Sequence, residues 1–350
     1  LQALGFADAA EVFVFIAGMA AVYAYRKPFL NGGFWTAARA VLGRIRTLYL
    51  THVAMVAGVL LFALGAGVYG TEFDVIGKLW LQPLLDNPVA AIMLMPILAY
   101  MPNYLDILPL YITLLAMVPL FLASMRLHVM LPVIMALLSY CAAQMLGLTF
   151  PNFGNPLGWF LNPFAWVLLF AAGVTVGQLT SEGFWQRLPR WLVAAVSIVA
   201  ASYVVFSFLH AAPWRVFPAL ESYAALGIVL EADKAFLSWH RLLDLLAKVW
   251  LVAVLVPSGA GFMASGLGGA ISRAGRNSLP IFVAGTFLSL LGSVVLYEGD
   301  GTAFWQVAVT AGGVIVLLAT AALIEADVRS RLSAIRGSWS VAVTGNALPK

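Results

Sequence analysis

The chain is poor in charge. Of its 350 residues only 10% are Asp, Glu, Lys or Arg, while 63% are hydrophobic. A soluble domain carries about 25% charged residues, so too little charge is present to coat a surface facing water. Lipid must cover much of it. Cysteine is nearly absent: Cys141 stands alone in an apolar run, which excludes an internal disulfide and a cysteine-rich metal site, and no metal is expected. The Gly-rich stretch from Ser258 to Gly269 lacks the Lys-Ser/Thr ending of a phosphate-binding P-loop. No nucleotide-hydrolysis motif occurs elsewhere. The net charge of +4 resides mostly in short loops between apolar runs, which argues against a nucleic-acid partner.

What the chain has instead is long apolar segments, at a mean hydropathy of +0.96. About twenty such residues cross the hydrocarbon core. The runs are continuous rather than alternating, so helices and not a closed β-barrel are expected. Spans are predicted at 11–25, 47–69, 105–123, 128–146, 164–180, 191–209, 241–257, 279–297 and 304–324. The fold class is therefore all-α, a polytopic transmembrane helical bundle of about nine spans. The run from Pro88 to Tyr100 is too short to cross comfortably and predicts an interfacial or re-entrant helix ending at Pro102-Asn103. Residues 34–46, with Arg39, Arg44 and Arg46, predict an amphipathic stretch along the membrane surface. Residues 1–325 are expected to form one domain, and 326–350 a cytoplasmic tail.

The connections alternate in charge. Loop 26–46 is basic, 70–104 carries Glu72, Asp74 and Asp86 against Lys78, and the turn near Arg126 is basic again. Loop 147–163 is uncharged, Arg187 and Arg190 outweigh Glu182, and the segment 210–240 is mixed. Arg273 and Arg276 make 258–278 basic, Glu298 and Asp300 follow, and the tail is basic. Most of the 19 Lys and Arg thus fall on one side, which the positive-inside rule assigns to the cytoplasm. The first span then runs inward, placing Leu1 outside. One further span is expected upstream of Leu1, about ten in all.

Ionisable groups within a bilayer are costly and mark candidate functional sites. Asp8 and Glu11 are three residues apart and share one helical face. They suit either a paired-carboxylate site or an N-cap with its N3 partner, and the two can hold together. The string Tyr100-Met-Pro-Asn103-Tyr104-Leu-Asp106-Ile-Leu-Pro109-Leu-Tyr111 opens a span with a kink and a carboxylate. Aromatic rings interleaved with Asn and Asp suit sugar recognition; an interfacial aromatic belt accounts for Tyr100 and Tyr104 well, and for Asp106 poorly. In Lys234…His240-Arg241…Asp244…Lys248, positions 241, 244, 245 and 248 share a face. A salt-bridge ladder from Asp244 to either cation is one reading, and His240 as a general base is another. Arg44, Arg46 and His52, with Arg273, Arg276 and Asn277, are candidates for phosphate contacts, or simply for topology-setting charge.

Four strings carry a resemblance: Asp8-Ala-Ala-Glu11-Val-Phe-Val-Phe-Ile-Ala-Gly18, Tyr104-Leu-Asp-Ile-Leu-Pro-Leu-Tyr111, Asn162-Pro-Phe-Ala-Trp166 and Gly275-Arg-Asn-Ser-Leu-Pro-Ile-Phe282. In this order they resemble the OpgC family of inner-membrane proteins, related to the wider membrane acyltransferase-3 group, over Gly5 to about Leu323. Asp233-Lys-Ala-Phe-Leu-Ser-Trp-His-Arg241 resembles the polar start of a late span in that family. Two departures stand out. Ala17-Gly18 occupies the place of a usual Ser-Gly, and the family's first span, with an Asp-His pair near its outer end, is expected upstream of Leu1.

The resemblance implies a bacterial inner-membrane O-acyltransferase that moves a succinyl group from succinyl-CoA to a periplasmic glucan. The CoA phosphates would meet the basic inner face at Arg44, Arg46, His52, Arg273, Arg276 and Asn277. Asp8, Glu11, Asp106 and His240 are the candidate catalytic groups. Asn103, Tyr104, Tyr111, Trp166 and Arg241 are the candidate substrate contacts. Direct transfer is favoured over an acyl-enzyme, because Cys141 has no neighbouring base. The competing class is a proton-coupled transporter or flippase of an acyl group or glycan.

Overall fold

The computed structural model describes residues 5–211, 233–256 and 260–344. Most of the mixed segment 210–240, Ser258 at the head of the glycine-rich stretch and the last residues of the tail lie outside them. Every regular element among the described residues is helical. Two compact units are formed, one of 1–58 with 76–256 and the other of 59–75 with 257–350.

The first unit starts with α1 (Ala9–Tyr69), whose last residues belong to the second unit. Its 61 residues are interrupted only at Gly33 (φ 72°, ψ −166°), a backbone state that glycine adopts without steric cost. The expected loop 26–46 is therefore helical. The surface stretch 34–46 is not a separate element, because its Ala, Leu and Arg residues are strong helix formers and nothing stops the helix before 47. Short helices α2 (Val75–Lys78), α3 (Gln82–Asp86) and α4 (Pro88–Leu94) follow, the last being the expected short element. Next come α5 (Ile107–Ala116), α6 (Val118–Ser124), α7 (Leu131–Leu146), α8 (Pro163–Ser181), α9 (Arg190–Ala211) and α10 (Trp239–Leu255).

Local chemistry explains the boundaries of α7 and α8. Gly147 ends α7 in the left-handed conformation (φ 63°). Asn162 caps α8, its side chain accepting from the Phe164 N–H, and Pro163 sits where a missing N–H costs nothing. α8 is the interior of this unit, with 67% of its apolar window buried. α7 packs along α8, and α10 along α9.

α1 and α8 cross at bare backbone. A Cβ on Gly18 would overlap the Phe170 carbonyl, and one on Gly173 the Phe15 carbonyl. We expect Gly173→Ala to destabilise the protein by about 1–3 kcal/mol, the usual range for overpacking. Gly43→Ala, on α1 where no atom lies within 4 Å, should be neutral or slightly stabilising. Thermal unfolding in detergent distinguishes them, and equal melting of the two variants would refute the close crossing.

The second unit contains α11 (Gly261–Ala264), α12 (Gly266–Arg276), α13 (Ser278–Glu298) and α14 (Ala303–Thr344). α14 packs on α12 and α13. The apolar window of α14 is only 6% buried, so its side chains have an apolar surrounding only if lipid supplies it.

Among the described residues six helices are long and apolar enough to cross a membrane: α1, the α5–α6 pair, α8, α9, α13 and α14 as far as Asp327. The expected count of about nine is not matched by this measure. α1 holds two of the predicted runs but is one helix, and α7 has only 16 residues. α10 has 17 and carries Arg241, Asp244 and Lys248.

Candidate functional site: a buried ion-pair cluster

The cluster is assembled on the turn that precedes α10. Asn162 N–H donates to the Ala235 carbonyl at 3.1 Å, and Trp166 Nε1 donates to the Lys234 and Ala235 carbonyls at 3.1 and 3.2 Å. The Tyr140 hydroxyl and the Gln144 amide of α7 donate to the carbonyls of Leu237 and Phe236. Trp166 is fully buried. Its indole is thus occupied in holding this turn and is not presented to a substrate, contrary to the sequence-based expectation.

The turn delivers Lys234 and Arg241 to the start of α1. Arg241 is completely buried; its Nε donates to Glu11 Oε1 at 2.6 Å, and its Nη2 forms an ion pair with the same oxygen at 2.5 Å. Glu11 Oε2 accepts the Asp8 N–H at 2.9 Å, and Asp8 Oδ1 accepts the Ala10 N–H at 2.9 Å. The capping arrangement is therefore present, and the same two carboxylates also hold cations. Asp8 Oδ2 accepts from Lys234 Nζ at 2.7 Å and from Arg241 Nη2 at 3.3 Å. Asp244, also buried, pairs with Lys248 at 2.6 Å rather than with Arg241, and it accepts the Ala7 N–H at 2.8 Å. Of the two cations open to Asp244 on its own helix it takes Lys248, while Arg241 is engaged with Glu11 and Asp8. Ser207 of α9 completes the anchorage by accepting the Phe6 N–H at 2.9 Å.

Several buried polar atoms here have no partner among the described residues: Arg241 Nη1, Asp244 Oδ1, Asp106 Oδ1 and both ring nitrogens of His240. His240 packs edge-on against Phe6, with ring centroids 5.8 Å apart, and against Trp239 at 3.9 Å. Asp106 is 5% exposed, directly precedes α5, and lies within electrostatic range of Lys234. Asn103 and Tyr104, three and two residues before it, are held outside the core. Asn103 donates through its N–H to the Leu79 carbonyl and through its amide to that of Lys78, and the Tyr104 side chain is exposed.

Burial alone would push the Asp8 carboxyl up. The Lys234 hydrogen bond, the Ala10 N–H and the Lys234 charge outweigh it and hold the group below its ordinary 3.8. A depressed carboxylate contributes stability above its unfolded pKa and loses it as pH falls through the folded one. We therefore expect Asp8→Asn to melt lower than wild type at pH 7, with the gap closing only below pH 3.8. Melting curves in detergent between neutral pH and about pH 3 check this. Parallel curves would show that Asp8 is not linked to folding.

The expected phosphate-binding residues lie in both units. In the first, Arg46 is exposed on α1, whereas Arg44 is half-buried within hydrogen-bonding reach of the Tyr111 phenol. A sugar-facing Tyr111 and a phosphate-facing Arg44 therefore occupy the same place, not opposite membrane faces. Tyr111 also packs edge-on against Phe13 at 5.6 Å. His52, two turns beyond Arg44, is 2% exposed and its Nδ1 has no partner among the described residues. In the second unit Arg276 and Arg273 pair with Glu325 at 3.2 and 3.8 Å, and Asn277 donates to the Arg273 carbonyl. Glu325 was not foreseen as their partner, since 49 residues separate it from Arg276. Nor was Ser207, which no spacing distinguishes from Ser197 and Ser202 in the same apolar run.

Among the described residues, no group of three or more His, Cys, Asp or Glu could hold a metal ion. A family model described as OpgC protein matches residues 1–329. No curated protein and no solved structure matches the chain.

Proposed function

The chain belongs to the OpgC family, and from that premise we propose that it transfers succinyl groups from cytoplasmic succinyl-CoA to hydroxyls of periplasmic glucans. In this reading it is an acyl-CoA-dependent O-acyltransferase of the bacterial inner membrane, crossing it about nine times. Residues 1–325 act as one catalytic domain.

The observation that carries the reading is the buried cluster joining Asp8, Glu11, Lys234 and Arg241 beside residues with unused hydrogen-bonding capacity. A bundle interior does not retain such polar atoms unless a polar guest or water completes them. The Asp106 carboxylate, or His240, takes the proton of a glucan hydroxyl. That oxygen attacks the thioester carbonyl, the C–S bond breaks, and CoA leaves as the thiolate and takes up a proton. Arg241, through its free Nη1, stabilises the negative charge that develops on the carbonyl oxygen. Glu11 and Asp8 are already committed to cations, so they position Arg241 and Lys234 instead of acting as bases.

Arg44 supports a dicarboxylic acyl group. It forms no ion pair among the described residues, and the Tyr111 hydroxyl beside it is a second donor. Together they suit the free carboxylate of a succinyl group, since guanidinium and phenol can both donate to it. Arg46, exposed on α1, is the candidate for a CoA phosphate in this unit; Arg273, Arg276 and Asn277 are engaged with Glu325 and with one another within the second unit. We expect Arg44→Leu to lower succinyl transfer about tenfold to a hundredfold, in line with a lost charge-assisted hydrogen bond. Acetyl transfer by the same variant should change little. Equal loss of both would remove Arg44 from acyl selection.

The reaction itself is tested by mixing purified protein, succinyl-CoA and a neutral glucan, then measuring free thiol and ester-bound succinate. Both should appear in equal amounts. A transporter or flippase would release no thiol.

A further inference from the structure

The first unit holds a second polar feature away from the ion-pair cluster. Residues 76–83 and 154–155 enclose a cleft of about 300 Å³, lined by Trp80, Gln82, Pro83, Gly154 and Asn155 among others. None of its lining side chains carries a charge. The Gln82 amide donates to Asp86 at 2.8 Å and the Asn155 amide to the Gly158 carbonyl at 2.8 Å, so both amides are held in place. The Trp80 ring is braced edge-on by Phe160, with centroids 6.5 Å apart.

The backbone beneath it is strained. Trp80 (φ 53°), Leu98 (φ 60°) and Tyr104 (φ 69°) all lie in the left-handed region, which disfavours side chains with a Cβ. Such states cost about 1–3 kcal/mol each and persist only where surrounding contacts impose them. Those contacts are present. The Tyr100 hydroxyl donates to the Trp80 carbonyl at 2.9 Å, and Asn103 donates to the carbonyls of Leu79 and Lys78 at 2.9 and 3.0 Å. The segment that leads into Asp106 is therefore tied directly to the rim of the cleft. Two of the three strained residues are aromatic, and Tyr104 is 56% exposed.

We propose that this cleft is a subsite for a neutral gluco-oligosaccharide, binding a sugar unit of the acceptor remote from the hydroxyl that reacts. This deepens the acyltransferase reading and rests on it. A sugar ring has an apolar C–H face, which Trp80 can cover, and a rim of hydroxyls, which the Gln82 and Asn155 amides can meet. An anionic ligand would find no cation in the lining, and a purely apolar one would leave the amides in contact with hydrocarbon. The cleft joins the loops 70–104 and 147–163, which loop charge places on the outer side, where a periplasmic acceptor arrives. Remote binding energy of this kind would orient the reacting unit at Asp106.

The test compares two acceptors, a glucose disaccharide and a longer neutral glucan, with the purified full-length chain. Trp80→Ala should raise KM for the longer glucan about tenfold or more, as loss of a buried aromatic anchor does. It should leave kcat/KM for the disaccharide unchanged. Trp80→Phe should restore most of the longer glucan's affinity, and Gln82→Ala should weaken it selectively. Both guard against a folding defect in Trp80→Ala. Equal effects on both acceptors, or no effect on either, would overturn the subsite. If wild type releases no CoA thiol, the acyltransferase reading fails by itself. Calorimetric titration of the longer glucan into wild type and Trp80→Phe then decides the cleft separately, with absence of binding to wild type refuting it.

Discussion

Arg241→Met is expected to be the most damaging single substitution to the fold, at about 3–5 kcal/mol, the range for a buried ion pair broken from one side. Arg241 and Glu11 are both fully buried, and the guanidinium holds one carboxylate oxygen through a hydrogen bond from Nε and an ion-pair contact from Nη2. Removing it leaves Glu11 charged in an interior without a cation, and Asp8 with Lys234 alone. The double variant Glu11→Gln with Arg241→Met should recover part of that loss, because neither charge is then left unpaired. Thermal unfolding of the purified variants reads both effects. If the single variant melts with wild type, the pair does not hold the first unit together. If the double variant is no better than Arg241→Met, the damage comes from lost packing and not from charge.

Asp106→Asn is expected to have the largest effect on activity with the least effect on folding. The substitution keeps size and shape, and the Asp106 Oδ1 it alters has no partner among the described residues. Loss of a general base lowers turnover by about a hundredfold to ten-thousandfold. KM for the glucan should change far less, since binding is assigned to other groups. His240→Gln provides the comparison, because both ring nitrogens of His240 are buried beside the cluster with no partner among the described residues. A normal turnover in Asp106→Asn, with His240→Gln inactive, would transfer the role of base to the histidine. Normal turnover in both would remove proton abstraction from these residues altogether.

How far these groups could be read in advance depended on the distance along the chain over which they act. The Asp8–Glu11 pair was legible because both readings, cap and carboxylate site, follow from three-residue spacing on a helix. Asp244 with Lys248 was legible for the same reason, at four residues. Arg241 with Glu11 was not, because 230 residues separate them and no periodicity connects them. The same limit applied to Trp166, which was expected at a substrate because it ends one of the strings that carry the family resemblance. Its use as a clamp on the Lys234 turn depends on a bond spanning 68 residues.

Composition and apolar periodicity by themselves determined that this is an all-helical membrane protein, because a chain with 10% charged residues cannot face water over most of its surface. Loop charge supplied an expected orientation, and four short strings pointed to the family. What only the tertiary structure decided is which charges compensate one another. The Coulomb energy of a buried pair depends on a few ångströms of separation and on exclusion from water, neither of which sequence distance encodes. Thus Arg241 belongs to α1 rather than to Asp244 on its own helix, Arg44 of α1 meets Tyr111 of α5, and Trp80 lines a cleft that no spacing announced. The scarcity of charge was visible from the start; the places where that little charge is buried had to come from the fold.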